Sequence, residues 1–212
     1  MSRKPTTSLN LSLSNLRHAL PLALCALLVG GCASRPVTQL PELSDWQVRQ
    51  QVLSARTDWE FSGRIAVSAD DDGFNGKLRW EQQDEEFSAT VSGPLGIGTV
   101  RIEGAGQRAV LTDKDGVRTE LQDVEEELLY RYGWTIPVRS LRYWALGIPD
   151  PLAAAQTELN EDHQLARLEQ DGWLLNISSY RDSSGQSMPH RLSAKKTSTR
   201  VRIVIDKWRF FD

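Results

Sequence analysis

The chain has 212 residues, with 25 Lys/Arg against 28 Asp/Glu and a formal net charge of −3. Residues 1–31 hold three basic and no acidic side chains, so the other 181 residues carry 22 basic and 28 acidic groups, a net of −6. That length makes one ordinary domain with room for a real core, and its acidity argues against nucleic acid and against a polybasic membrane patch.

The first segment reads as an export signal. Arg3, Lys4, Arg17 and His18 precede an uncharged apolar run at 20–29 that ends in Gly30-Gly31-Cys32. A basic start, an apolar middle and small residues before a cut site are the parts of a secretory signal. The run is too short for a spanning helix, which needs about 20 apolar residues. Residues 28–34 resemble a bacterial lipobox, which implies cleavage before Cys32 and lipid attachment to its thiol. Cys25 lies inside the run, so no second cysteine remains for an intramolecular disulfide, although the compartment would allow one. Only His163 and His190 survive processing, too few for a His-built metal site, and no cofactor motif is present. Residues 1–31 are therefore read as the signal, 32–43 as the lipidated N-terminus with a flexible tether, and 44–212 as the domain.

Ser44 is the expected N-cap of a short helix reaching Arg56, with Asp45 in its first turn and Trp46, Val48, Val52 and Leu53 as its apolar stripe. Alternation then predicts strands. Trp59, Phe61, Gly63, Ile65 and Val67 share one face, and after an Asp-Asp-Asp-Gly turn at 70–73 so do Phe74, Gly76, Leu78 and Trp80. Phe87, Ala89 and Val91 mark a third strand, Val100 and Ile102 a fourth, Val110 and Leu111 a fifth, and Val117 to Leu121 a sixth. Short turns between them predict an antiparallel meander with one apolar face.

The period changes at Asp123. Val124, Leu128, Leu129 and Tyr132 fall at helical spacing, with Gly133 as the stop. A second short helix is expected over 140–146, with Leu141, Trp144, Ala145 and Ile148 on its apolar side. Strands resume at 165–169 and 173–180, where Trp173, Leu175 and Ile177 share a face across a Gln-Asp-Gly turn. Residues 181–187 read as a polar loop. A last hairpin joins 189–194 to 200–207, with Val201, Ile203 and Ile205 on one face. The fold class is mainly β with α: an open, incomplete antiparallel barrel of roughly ten to eleven strands. Twist curls a long meander toward closure, and a mid-chain helical insertion can cover the mouth of a hydrophobic cavity. Periodicity alone does not separate such a cavity from a packed core.

No nucleophile elbow, zinc-protease motif or phosphate loop is present, so no enzyme class is indicated. Glu125-Glu126-Glu127 beside Asp123 reads as a solvated helix start, and Asp70 to Asp72 as a turn, not a calcium loop.

The order of motifs is informative. A lipobox precedes the 59–67 strand, the Ser92-Gly93-Pro94-Leu95-Gly96 turn, the block from Gly133-Trp134-Thr135-Ile136-Pro137 to Leu146-Gly147, Met188-Pro189 and Ile205-Asp206-Lys207-Trp208. This resembles the LolB family, the outer-membrane lipoprotein receptors of Gram-negative bacteria. The block between Ile136 and Gly147 is its most specific part. The resemblance implies a lipid-anchored monomer on the periplasmic face of the outer membrane. It would accept lipoproteins from the soluble carrier LolA, hold their acyl chains in an apolar cavity under a helical lid, and release them into outer-membrane lipid, without catalysis or cofactor. A structural envelope lipoprotein without a cavity is the alternative.

The cavity candidates are Trp59, Phe61, Ile65, Val67, Phe74, Leu78, Trp80, Val91, Val100 and Ile102 from the first half of the chain. Trp134, Ile136, Leu141, Trp144, Leu146, Trp173, Leu175, Ile177, Ile203 and Ile205 complete them. Pro94, Leu95 and Gly96 form the membrane-insertion candidate: an apolar residue at a turn tip, with Ile97 beside it, makes a wedge able to touch lipid. The resemblance implies that Leu95 serves delivery to the membrane. It also implies outer-membrane sorting, because Ala33 and not Asp follows Cys32.

Overall fold

The computed structural model describes residues 35–211 except 44, 71, 94–97 and 184. Its compact unit begins at Pro36. The alternating segments form β1 (Asp58–Ala69), β2 (Asp72–Gln83), β3 (Glu86–Ser92), β4 (Val100–Ala105), β5 (Arg108–Thr112) and β6 (Arg118–Leu121). They are followed by β7 (Ala155–Leu159), β8 (Leu165–Gln170), β9 (Trp173–Ser183), β10 (Gln186–Lys196) and β11 (Thr199–Phe210). The helices are α1 (Trp46–Ser54), α2 (Val124–Tyr132) and α3 (Val138–Trp144).

All eleven strands lie in one antiparallel sheet, in the order β6-β5-β4-β3-β2-β1-β11-β10-β9-β8-β7. The first and last strands are thus neighbours at its centre, and the edges β6 and β7 do not pair among the described residues. The chain between those two edges is the segment that carries α2 and α3. This is the open barrel with a helical lid: two meanders back to back, with the helices inserted where closure would otherwise occur. A bulge at Ser62/Gly63 in the β1–β11 ladder bends its middle. Gly63 is required there, because a Cβ would collide with the Val204 carbonyl oxygen.

The interior has three parts. At one end an aromatic layer fills the barrel. Trp59, Phe61 and Trp80 are stacked with planes 9–12° apart, and Trp208 and Phe87 extend the set. Cross-strand aromatic pairs of this kind stabilise a sheet beyond their buried area. A second part, by α3, is dense core: Trp173 of β9 lies 6.2 Å from Trp144, centre to centre, and Leu165, Leu168, Leu175, Leu146 and Ile148 are buried in the same cluster. The third part, enclosed by β1–β5, is hollow.

Several expectations change. Asp45 caps α1, its carboxylate accepting from Val48 N at 2.9 Å; Ser44, the expected cap, lies outside the described residues. The buried side of α1 is Leu53 with Arg49 one turn before it. Arg49 donates to Ser187 O at 2.5 Å and lies 5.3 Å from the Tyr180 ring centre. Burial lowers the Arg49 pKa and raises that of the Tyr180 phenol. Ahead of α1, Leu40 is buried, and Thr38 N donates to Phe210 O at 2.8 Å. The polar stretch 181–187 is not a loop but the paired ends of β9 and β10, with Ser183 opposite Gln186. Its side chains are polar because that end of the hairpin leaves the core. Strand β7 has no apolar alternation to mark it, because it is an edge with all five residues exposed. Helix α3 runs over Val138–Trp144 rather than 140–146, starting where Pro137 has its fixed φ of −75°. The Asp-rich turn is tighter than 70–73, since β2 begins at Asp72.

Candidate functional site

Inward-facing residues on β1–β5 are large near the aromatic layer and smaller beyond it. Ala89 and Val91 on β3 and Val100 on β4 do not fill the space between the sheet and the lid. A cavity of about 400 Å³ results. That lies in the range that holds small apolar ligands. Its walls are Ile65, Leu78, Val91 and Val100, with Trp80 and Phe87 from the aromatic layer as its floor. Ala89, Ile102 and Leu111 complete the strand side. Among the described residues the polar lining is limited to Asn75 and Asp113 and the backbone at Gly93 and Gly98. Such an apolar lining shelters hydrocarbon from water.

The lid is positioned by polar contacts outside this apolar lining. Asp123 caps α2, accepting from Glu125 N and Glu126 N, and Val124 N donates to Gln107 O in the β4–β5 turn. Gly133 ends α2 in the left-handed region at φ 71°. The following strap is apolar: Trp134 lies 4.8 Å from Phe74, centre to centre, and Ile136, Val138 and Leu141 cover the cavity. Thr135 turns its hydroxyl away to donate to Glu125 O at 2.8 Å.

The far end of the lid is fixed by a buried polar hub. Gln170 Oε1 accepts from Trp144 Nε1 at 2.8 Å and from Asp150 N at 3.0 Å. Gln170 Nε2 donates to Asp150 O at 2.8 Å and to Ala153 O at 2.9 Å. Asp150, itself 1% exposed, accepts from Ser140 Oγ at 3.2 Å. Arg139 pairs with Asp171 at 3.1 Å, and Arg142 bridges to Glu85 at 2.8 Å. Within the lid itself, the pKa of the Glu125 carboxyl of α2 is raised. Burial pushes Glu125 up to about 7, against the opposing charge and backbone amide of Arg139.

The sequence candidates divide cleanly by place. Ile65, Phe74, Leu78, Trp80, Val91, Val100, Ile102, Trp134, Ile136 and Leu141 line the cavity. Trp59 and Phe61 lie below it in the aromatic layer. Val67, Trp144, Leu146, Trp173, Leu175, Ile177, Ile203 and Ile205 are buried without lining it. The residues sequence reasoning missed are Phe87, Ala89, Leu111 and Val138. Phe87 and Ala89 share the alternation of the third strand, and Leu111 is read only as part of the fifth; nothing in the pattern distinguishes them from packed core. Cys32 and the loop residues Pro94, Leu95 and Gly96 lie outside the described residues. The loop's flanks are described: Gly93 and Gly98 line the cavity, and Ser92 Oγ and Thr99 Oγ1 lie 3.1 Å apart at its neck.

Comparison with known proteins gives a consistent result. The family model for outer membrane lipoprotein LolB matches residues 57–208. An outer-membrane lipoprotein LolB of Pseudomonas syringae pv. syringae (strain B728a) is 34% identical over 196 residues, covering 91% of this chain and 96% of its own. That of Pseudomonas putida (strain GB-1) is 32% identical over the same shares. The Francisella tularensis (strain FSC 198) protein of that name is 31% identical over 125 residues, covering 58% of this chain and 60% of its own. Among solved structures, a DUF1329 family protein from Desulfovibrio piger is similar in fold alone, with a TM-score of 0.51 at 6% identity over 77% of this chain and 89% of that one. By the extent of the family match and the identity to its relatives, the chain belongs to the outer membrane lipoprotein LolB family.

Proposed function

We propose that the chain is an outer-membrane receptor for lipoproteins, anchored through a lipid on Cys32 at the periplasmic face. Its domain takes acyl chains from the soluble carrier LolA into the cavity under α2 and α3, then passes them to the bilayer. The observation that carries this reading is the apolar hollow of about 400 Å³ beneath a helical lid. Each CH₂ kept from water is worth about 0.8 kcal/mol, so a dry route matters more than any single contact. Cavity and bilayer are similarly apolar, so exchange between them runs near balance and needs no bond to be made or broken. Leu95, in the segment between Gly93 and Gly98, is the residue assigned to touching lipid at release.

The reading is tested with an apolar fluorescent probe and the soluble domain. Saturable uptake that quenches Trp emission is expected, because Trp80 and Trp134 line the cavity. A domain that merely braces the envelope has no use for such a hollow, and absence of saturable uptake would favour that alternative.

A further inference from the structure

The domain's net acidity conceals a basic cluster. On the outer face of the sheet, Lys77 on β2 stands directly opposite Arg64 on β1. Arg202 on β11 and Arg191 on β10 continue the cluster on the next two strands. All four point outward, because Ile65, Leu78, Leu192 and Ile203 beside them in the chain are buried. They line a groove of about 510 Å³ that also includes Asn75, Ser92 and Gly93.

Further along β1 and β2, several charges on this face are paired. Glu60 pairs with Arg79 at 3.0 Å and Arg209 at 2.6 Å, and Glu81 pairs with Arg79 at 2.6 Å. In the groove only Arg64 is paired, with Asp206 at 3.0 Å. Lys77, Arg191 and Arg202 make no ion pair among the described residues. The groove also adjoins the cavity, since Ile65 and Gly93 line both.

We propose that this groove binds the phosphodiester headgroups of an anionic lipid bilayer and so holds the part of the cavity wall that carries Ile65 and Gly93 against the membrane. The inference rests on the reading that cargo is released into a bilayer. Guanidinium forks match phosphate oxygens in pairs. A domain otherwise net negative is repelled by an anionic surface except where such a cluster faces it. A protein partner fits less well: protein interfaces centre on anchors seated in apolar pockets, and this lining is mostly charged and polar, with no aromatic side chain among the described residues.

The test uses residues 36–212, whose hydrophobic core lies wholly between Leu40 and Phe210 and which is therefore its own folding unit. Sedimentation with vesicles of phosphatidylcholine, with and without 30% phosphatidylglycerol, is compared for wild type and for the triple variant Lys77→Gln, Arg191→Gln, Arg202→Gln. About a fivefold loss per basic side chain predicts roughly a hundredfold weaker binding to the anionic vesicles at low salt. The charge-keeping variant Lys77→Arg, Arg191→Lys, Arg202→Lys should retain binding. Wild-type binding that ignores phosphatidylglycerol overturns the proposal, as does unchanged binding by the triple variant. If the triple variant binds vesicles normally but no longer accepts lipoprotein from the carrier, the groove is a protein-docking surface and the proposal fails. Uptake of the apolar probe is measured in parallel: its absence in wild type sinks the cavity reading whatever the groove does.

Discussion

Replacing Gln170 by Leu should detach the far end of the lid. Leu fits the volume but can neither donate nor accept. Trp144 Nε1, Asp150 N, Asp150 O and Ala153 O would each lose a partner now held at 2.8–3.0 Å. Asp150 O keeps a bond from Ala153 N at 3.4 Å, and an orphaned buried polar group costs about 1–3 kcal/mol, so the other three bound the loss at roughly 3–9 kcal/mol. Relaxation and entry of water favour the lower end, and we expect about 4 kcal/mol, a large share of the 5–15 kcal/mol typical of a domain. Trp144→Phe removes one donor and leaves Gln170 Oε1 bound to Asp150 N, so it should cost about 1–2 kcal/mol. The two changes share a hydrogen bond, so their effects should fall short of additivity by about 1 kcal/mol. Urea unfolding followed by circular dichroism measures all three variants. A Gln170→Leu protein within about 1 kcal/mol of wild type would refute the claim that this hub holds the lid.

Glu125→Gln tests the perturbed carboxyl. Its folded pKa of about 7 lies above the ordinary 4.5, so the stability linked to its bound proton is complete below about pH 4.5 and lost as pH rises through about 7. The variant should lack this slope and be more stable than wild type at pH 8 by at most about 3 kcal/mol; urea midpoints at pH 5 and 8 with equal slopes in both proteins would contradict this. Leu95→Glu should leave uptake from the carrier intact and impair delivery to liposomes, because a carboxylate is poorly tolerated in hydrocarbon; normal delivery by the folded variant would remove Leu95 from the account. Intact mass of the protein isolated from membranes should show acyl chains on Cys32, two or more being needed for stable attachment, and a free thiol there would end that assignment.

Much of the fold was legible because period 2 and period 3.6 write directly into burial. The meander, its sharp turns and the switch to helices at Asp123 all follow from side-chain alternation and caps. The cavity was only half legible. Alternation assigns Trp59 and Ile65 to the same face, but it does not say that one stacks in an aromatic layer while the other borders a void. That distinction depends on what lies across the barrel: Trp173 meets Trp144 of α3, whereas Ala89 and Val100 border the void. Gln170 read as part of a turn, yet its amide spans from β8 to the lid, a contact 26 residues apart in the chain for Trp144. The basic groove was invisible for a related reason: Lys77, Arg64, Arg202 and Arg191 are scattered in sequence and are gathered only by strand register.

The central claim is that the hollow between β1–β5 and the lid receives acyl chains. Ala89 sits at its wall, opposite Trp80 on β2 and Ile102 on β4. Ala89→Trp would place an indole in the void with little strain on the ladder. The decisive measurement is transfer of a lipoprotein from loaded carrier to the soluble domain, wild type against Ala89→Trp, with folding checked by circular dichroism. The account predicts uptake by wild type and little by the folded variant; uptake by Ala89→Trp at the wild-type rate would contradict it.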